Sequence, residues 1–331
     1  MKGRQDSEVL SGEQRTEKTG WGDLYVRVAW AYYKEGLTQQ QIAERFQLSR
    51  SKVHRMIKEA REKDIVSIEI THPEANLLGV EKELIDRFGL KDAIVIPSAS
   101  EEGALKEMLG EAGAFYLRHK APDFGSLGIS IGTTLQRVAE SFQPTEEQLE
   151  RDVKVVSLHG NLTGNIAVTP YSIGNVFADK LDGDFYNVWA PAIAEDEETA
   201  EVFRSEPWIK EVLEMAAGAE LLLLGIGTMD TSATLFQEFN YLSREEISGL
   251  KAKGAVGDTL GQFFDIQGKP VDTEIRDRII GLPLEELKSK TATVGIAGGE
   301  HKYEGILAAL RGGYLQVLIT DETVAKKLVE E

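Results

Sequence analysis

From Asp92 onward the chain alternates short apolar runs with longer amphipathic ones: DAIVIP precedes a helical stretch through Met108 and Tyr116, SLGISIG precedes residues 134–142, and VKVVSLHG precedes residues 170–181. The rhythm continues with DFYNVWAP before 206–216, ELLLLGIG before a helical region, TATVGIAGG before 301–310, and LQVLIT before 321–328. Runs this apolar belong to strands buried on both faces, and each intervening helix returns the chain to the same sheet edge. The pattern therefore predicts a doubly wound, mostly parallel sheet with helices on both faces. No internal repeat interrupts it.

Ahead of this body, residues 37–63 read LTQQQIAERFQLSRSKVHRMIKEAREK. Thr38 is placed to cap a short helix whose Ile42, Ala43 and Phe46 share a side. Ser49 caps the next helix after a turn at Gln47 and Leu48. In the second helix Val53, Met56, Ile57 and Ala60 form one packing stripe, as any amphipathic helix of a small bundle would show. The opposite side carries Arg50, Ser51, Lys52, His54, Arg55 and Lys58, a mixture suited to phosphates and base edges from a helix in the major groove. Thr38, Gln39 and Ser49 join that DNA-binding set. Ser51, Lys52 and Arg55 are expected to read bases, and Arg50 and Lys58 to hold phosphates. A preceding helix over residues 22–35, with Leu24, Val28, Ala31 and Tyr32 on one side, completes a three-helix unit. Residues 65–71 alternate as a short strand or wing, and Leu77, Val80, Leu84, Ile85 and Phe88 predict a linking helix.

Charge sharpens the division. Residues 21–63 hold nine Lys or Arg against five Asp or Glu, so the rest of the chain carries a net −22 to reach the total of −18. A basic module on an acidic body points to a confined nucleic-acid footprint. The expected organisation is a disordered polar tail over 1–20, a helix-turn-helix domain over 21–72, and an effector-binding and oligomerisation domain over 73–331. At 331 residues with 42% hydrophobic content there is core enough for two domains. No apolar stretch is long enough to span a membrane, the start lacks a secretory apolar core, and zero Cys excludes disulfides, so a cytoplasmic protein is expected.

Ligands of doubly wound sheets bind where loops leave the carboxyl ends of strands. Residues 128–134, GISIGTT, end one strand and open a helix, so amides at Gly132, Thr133 and Thr134 and two hydroxyls would converge on an anion with the helix dipole behind them. The alternative is a tight turn that needs glycine. Gly160 and Asn161, after His159, and Gly225, Gly227 and Thr228 leave two further strands in the same manner, which favours one shared site. Within GAVGDTLGQFFD, Asp258 and Asp265 are placed to accept bonds from sugar hydroxyls, or else to close turns. Lys302, at a strand-to-helix junction, adds a point charge for a phosphate, or sits as an exposed helix-terminal lysine.

The helix-turn-helix followed by GISIGTTL, LLLLGIGTM, GAVGDTLGQFFDIQGKPV, AGGEHKYEGILAALRGG and LITDETVAKKL resembles the SorC family of sugar-responsive bacterial transcriptional regulators, over nearly everything from Leu24 to Leu328. The resemblance implies an effector domain similar to the glucosamine-6-phosphate deaminase and ribose-5-phosphate isomerase fold, phosphorylated sugars as ligands, and dimers or tetramers that bind double-stranded operator DNA. It also implies phosphate contacts from Gly132, Thr133, Thr134, Gly225, Gly227 and Lys302, with Asp258 or Asp265 facing the sugar. The stretch GNLTGNIA, residues 160–167, lacks the cation found there in some members. A monophosphate or an unphosphorylated polyol is therefore expected over a bisphosphate, and no Lys stands there to form a Schiff base.

An isomerase or deaminase on the same fold is the competing reading, because such chemistry needs only a base beside the sugar carbon. Asp230, Asp258 and His159 are the candidates. GIGTMDTSATL follows the deaminase loop as far as Asp230, but Thr231 and Ser232 stand where its His is expected. A regulator without catalysis is thus the expectation, most simply a repressor released by its inducer. The five His residues, at 54, 72, 119, 159 and 301, lack ligand spacing, so no metal or cofactor is expected.

Overall fold

The computed structural model describes residues 24–68, 75–121, 123–161, 169–229, 241–290 and 292–331. The chain separates into two compact units, with the division between His72 and Pro73. In the first, helices α1 (Leu24–Tyr33), α2 (Gln39–Phe46) and α3 (Arg50–Glu62) enclose a core of Val28, Ala31, Ile42, Ala43, Val53, Met56 and Ile57. Both predicted caps form: Thr38 accepts from the Gln41 amide while Gln41 reaches back to the Thr38 amide at 2.9 Å, and Ser49 accepts from the Lys52 amide at 3.2 Å. Gln47 takes the left-handed conformation (φ 51°) that ends α2, and the Leu48 amide closes onto the Ala43 carbonyl at 2.8 Å. Of the wing expected over residues 65–71, the described part, up to Ile68, is not a strand, and the rest lies outside the described residues. The tail over 1–20 lies outside them as well.

In the second unit a linking helix, α4 (Ala75–Phe88), buries Leu77 and Leu84. Seven strands then form one all-parallel sheet: β1 (Asp92–Ile96), β2 (Ser126–Ile129), β3 (Lys154–Ser157), β4 (Asp184–Tyr186), β5 (Leu221–Leu224), β8 (Thr293–Ile296) and β9 (Val317–Asp321), in the spatial order β1-β9-β8-β5-β2-β3-β4. The central β5 shows why its sequence is four leucines. Leu222 and Leu224 enter the core layer with Leu84, Leu158 and Leu318, while Leu221 and Leu223 enter the opposite layer with Leu127, Val155 and Val294.

Two features depart from the sequence reading. Residues 254–265, for which no element was expected, form an antiparallel hairpin of β6 (Ala255–Thr259) and β7 (Gln262–Asp265) that turns through Leu260 and Gly261 at positive φ. A non-glycine at the first turn position hid the hairpin signal. An unexpected helix, Glu197–Ser205, precedes the helix expected over 206–216 and found at Pro207–Gly218; it is started by Asp196, whose carboxylate accepts from the Thr199 amide at 2.8 Å. Among the described residues no helix is long and apolar enough to cross a membrane.

Strand order locates the crevice. From β2 the chain moves outward to β3 and β4, then returns to lay β5 on the other side of β2 and continues through β8 and β9 toward β1. The loops after β2 and β5 therefore diverge, which opens a gap at their carboxyl ends.

Candidate functional site

The helical unit presents Arg50, Ser51, Lys52, His54, Arg55 and Lys58 on its solvent side, with Thr38 and Ser49 exposed and Gln39 half-buried at the helix starts. The first turn of α3 holds two cations and no acid. A helix dipole disfavours cations there, so this placement costs stability and suits an anion arriving at the same amides. Carboxylates are confined to the far half of α3. Arg55 Nε lies 3.6 Å from Glu59 and Lys58 Nζ lies 3.7 Å from Glu62. Glu59 also accepts from the Tyr25 hydroxyl at 2.6 Å and from Lys63 at 3.1 Å, and these bonds hold its carboxyl below the usual range. Exposed pairs of this kind are weak, so Glu59 and Glu62 hold Arg55 and Lys58 only loosely.

In the larger unit, Gly132 precedes the helix α6 (Thr133–Ser141), whose first intrahelical bond runs from the Gln136 amide to the Gly132 carbonyl. The amides of Thr133, Thr134 and Leu135 thus have no acceptor within the helix and face the switch point. Across the gap, the β5 exit is clasped by the hairpin. The Gly227 amide donates to the Asp258 carbonyl at 2.8 Å, the Thr259 hydroxyl donates to the Gly225 carbonyl at 2.8 Å, and the Asp258 carboxylate lies against the Gly227 Cα, where a Cβ would fall 1.8 Å from Oδ1. Gly225 is equally confined, since a Cβ there would approach the Ile131 carbonyl to 2.7 Å. These glycines allow close approach of chains, and the Gly227 amide is committed to Asp258. From the β8 exit, Lys302 Nζ donates to the Ile226 carbonyl at 2.9 Å and the Thr228 hydroxyl donates to the His301 carbonyl at 2.9 Å. The exits of β5 and β8 and the hairpin are thereby bound into one rim, beside a cleft of about 550 Å³ lined in part by Thr228, Lys251, Glu300 and His301.

Other expected residues have structural partners. The Gly160 amide donates to the Ile280 carbonyl at 2.8 Å, and a Cβ there would strike the Pro191 carbonyl. Asn161 donates through Nδ2 to Asn187 and to the Val188 carbonyl, and accepts from the Tyr171 amide. It anchors the β3 exit to that of β4. Asp265 accepts from the Gln267 and Lys269 amides at 3.0 and 2.9 Å, which is the turn-closing alternative. Asp230, Thr231 and Ser232 lie outside the described residues.

Electrostatics separate the groups that remain. Burial, opposed by Lys302 and the Gly261 amide, pushes Asp258 up to about 7. Burial and the neighbouring Lys106 push Lys302 down to about 8, against the pull of Asp258 and Glu102. His159 is brought down to about 4 by burial; its ring sits 3.2 Å from the Ser130 hydroxyl and 2.7 Å from the Gly160 carbonyl, a neutral core histidine. Lys106 escaped the sequence reading because nothing in its local sequence ties it to a residue nearly two hundred positions away.

A crevice at the switch point of a parallel sheet, on a chain that also carries a helix-turn-helix, defines the class of effector-binding transcriptional regulators. The Sugar-bind family model, a sugar-binding domain, matches residues 72–330, and the Sigma-70 region 4 model matches residues 29–63. The chain is 32% identical over 311 residues to the deoxyribonucleoside regulator of Bacillus subtilis, covering 93% of this chain and 97% of that protein. It is 33% identical over 308 residues to the erythritol catabolism regulatory protein EryD of Brucella abortus, covering 92% and 96%. The crystal structure of the full-length sorbitol operon regulator SorC from Klebsiella pneumoniae superposes with a TM-score of 0.72 at 28% identity, covering 92% of this chain and 98% of that one. The chain belongs to the SorC family of sugar-binding transcriptional regulators.

Proposed function

We propose that this regulator binds its operator through the exposed face of α3, with Ser51, Lys52 and Arg55 on bases and Arg50 and Lys58 on phosphates, and that a small sugar phosphate or sugar alcohol controls its affinity. His54, Thr38, Gln39 and Ser49 line the same surface. The effector lies at the switch point, its anionic or hydroxyl end at Gly132, Thr133 and Thr134, and its remaining hydroxyls toward Asp258 and Lys302. Gly160, Asn161, Gly225, Gly227 and Thr228 shape the walls, whereas Asp265, which closes its own turn beside Gly268, has no part in them. The observation that carries this reading is the convergence of the first turn of α6, a buried carboxylate and a lysine at the divergence of β2 and β5.

Two copies or more act together, since one recognition helix spans too few base pairs to specify an operator. A sugar that favours one dimeric or tetrameric arrangement shifts operator affinity by a coupling energy of about 1 to 3 kcal/mol. Release of a repressor by its inducer is the proposed sign. Gel-shift titration of the chain's own promoter region, with and without sugars and their phosphates, tests it. Operator affinity that stays constant across every sugar would refute the coupling.

A further inference from the structure

Two acids of α3 are held in different ways. The Glu62 side chain is 58% exposed and meets Lys58 at 3.7 Å. Glu59, 27% exposed, is fixed from a second helix: it accepts from the Tyr25 hydroxyl of α1 at 2.6 Å and from Lys63 Nζ at 3.1 Å, and the Lys63 ammonium lies 4.3 Å over the Tyr25 ring. Groups from α1 and from the end of α3 thus close around one carboxylate. Arg55, 69% exposed, approaches that fixed charge through Nε at 3.6 Å. The pair has Arg at i and Glu at i+4, the weaker orientation on a helix, so helix stability does not account for it. A carboxylate at Nε leaves the end fork of Nη1 and Nη2 open, and that pair of donors matches O6 and N7 of a guanine.

We propose that Glu59 is a specificity-determining positioning residue: anchored on α1, it aims the Arg55 guanidinium at a base edge, with guanine as the matching base, and keeps it off the phosphates. The inference rests on the reading of α3 as the DNA-contacting helix and adds to it a residue that touches no DNA. In the free protein the pair is weak. Against a duplex, water is displaced and the same carboxylate acts in a lower dielectric, so it directs the guanidinium more firmly. It also cancels the Arg55 charge toward phosphates. The pair then releases no counterion on random sequence, where an unpaired arginine would release about one. Glu59 thereby lowers affinity for DNA in general and lowers it least where a base accepts the aimed fork, so the ratio of operator to random binding rises. The anchoring by Tyr25 and Lys63 is essential to this effect, because a mobile carboxylate would follow the arginine instead of directing it.

The test measures binding of the full chain to a duplex of its own promoter region and to a shuffled duplex of equal length, by fluorescence anisotropy over a series of salt concentrations. Glu59→Gln removes the charge and still accepts from Tyr25 and Lys63. It should bind the shuffled duplex about tenfold more tightly at low salt, with a salt slope steeper by about 1, so that the ratio of operator to shuffled binding falls about tenfold. Glu62→Gln makes the same charge change without the anchor, and should tighten both duplexes alike and hold the ratio within about twofold. Tyr25→Phe keeps the charge but releases it from α1, and should lower the ratio in the same direction as Glu59→Gln. In an Arg55→Ala background Glu59→Gln should leave the ratio unchanged. A ratio unmoved by Glu59→Gln overturns the inference, as does an equal fall in Glu62→Gln or in the Arg55→Ala background. So does a Glu59→Gln that loses operator affinity and binds the shuffled duplex no better, the signature of a loosened fold. If Arg55→Ala itself retains operator binding, the assignment of Arg55 to bases falls as well; if Arg55→Ala loses it while Glu59→Gln keeps the ratio, only the inference is lost.

Discussion

Asp258→Asn removes a carboxylate that burial has pushed up to about 7 against the opposing pull of Lys302 and the Gly261 amide. The unfolded aspartate releases its proton near 3.8 and the folded one near 7, so between those values the native state holds the additional proton. Stability contributed by this group is present at low pH and lost as pH rises through that window. At roughly 1.4 kcal/mol per pH unit, the penalty approaches about 4 kcal/mol above pH 7. Lys302, brought down to about 8, keeps its charge across most of the interval and does not mask the effect. The amide of Asn has nearly the shape of the carboxylate and still accepts from Gly261, so the replacement mainly removes the titration. Urea unfolding of both proteins at about pH 5 and about pH 7.5 is the assay. The stability of Asp258→Asn relative to wild type should rise by about 2 to 3 kcal/mol between the two conditions. A relative stability independent of pH would mean that Asp258 is ionised throughout, and that the hairpin does not bury it as the structure has it.

Arg55→Ala should weaken operator binding by about 1 to 3 kcal/mol and relax specificity, with the effector-induced thermal shift unchanged; gel shift and melting together measure both. Lys302→Ala should do the opposite, leaving DNA binding intact without effector while abolishing the response to it. Equal loss of both functions in either folded variant would contradict separate sites. Gly227→Ala places a methyl 1.8 Å from Asp258 Oδ1 on a backbone pinned by the Asp258 carbonyl, so a destabilisation of about 3 kcal/mol is expected in denaturant unfolding. A loss below about 1 kcal/mol would show that the hairpin yields.

Much of the fold was legible from local signals. Thr38 and Ser49 announce helices through their own hydroxyls, Thr169 and Pro170 start the helix Pro170–Leu181, and the four leucines of β5 require burial on both faces. The GISIGTT segment was equally readable as a strand that opens a helix, because both are built from consecutive residues. The hairpin was not: Leu260 gives no turn signal, and Asp258 gains its environment from the clasp on Gly227. Gly160 and Asn161 read as ligand groups by position, yet their bonds run to Ile280, Asn187 and Val188, far along the chain.

By itself the sequence determined the regulator's division into a basic helical module and an acidic body, the strands and helices of the parallel sheet, the helix caps and the glycine-rich strand exits, since each depends on residues within a few positions of one another. Tertiary structure alone decided which exits meet. The return of β5 to the far side of β2 opens the crevice, and the hairpin lays the Asp258 carboxylate against Gly227 at the β5 exit. Burial and charge pairing in that rim are sums over neighbours supplied by distant segments, so they come into existence only when the chain has folded.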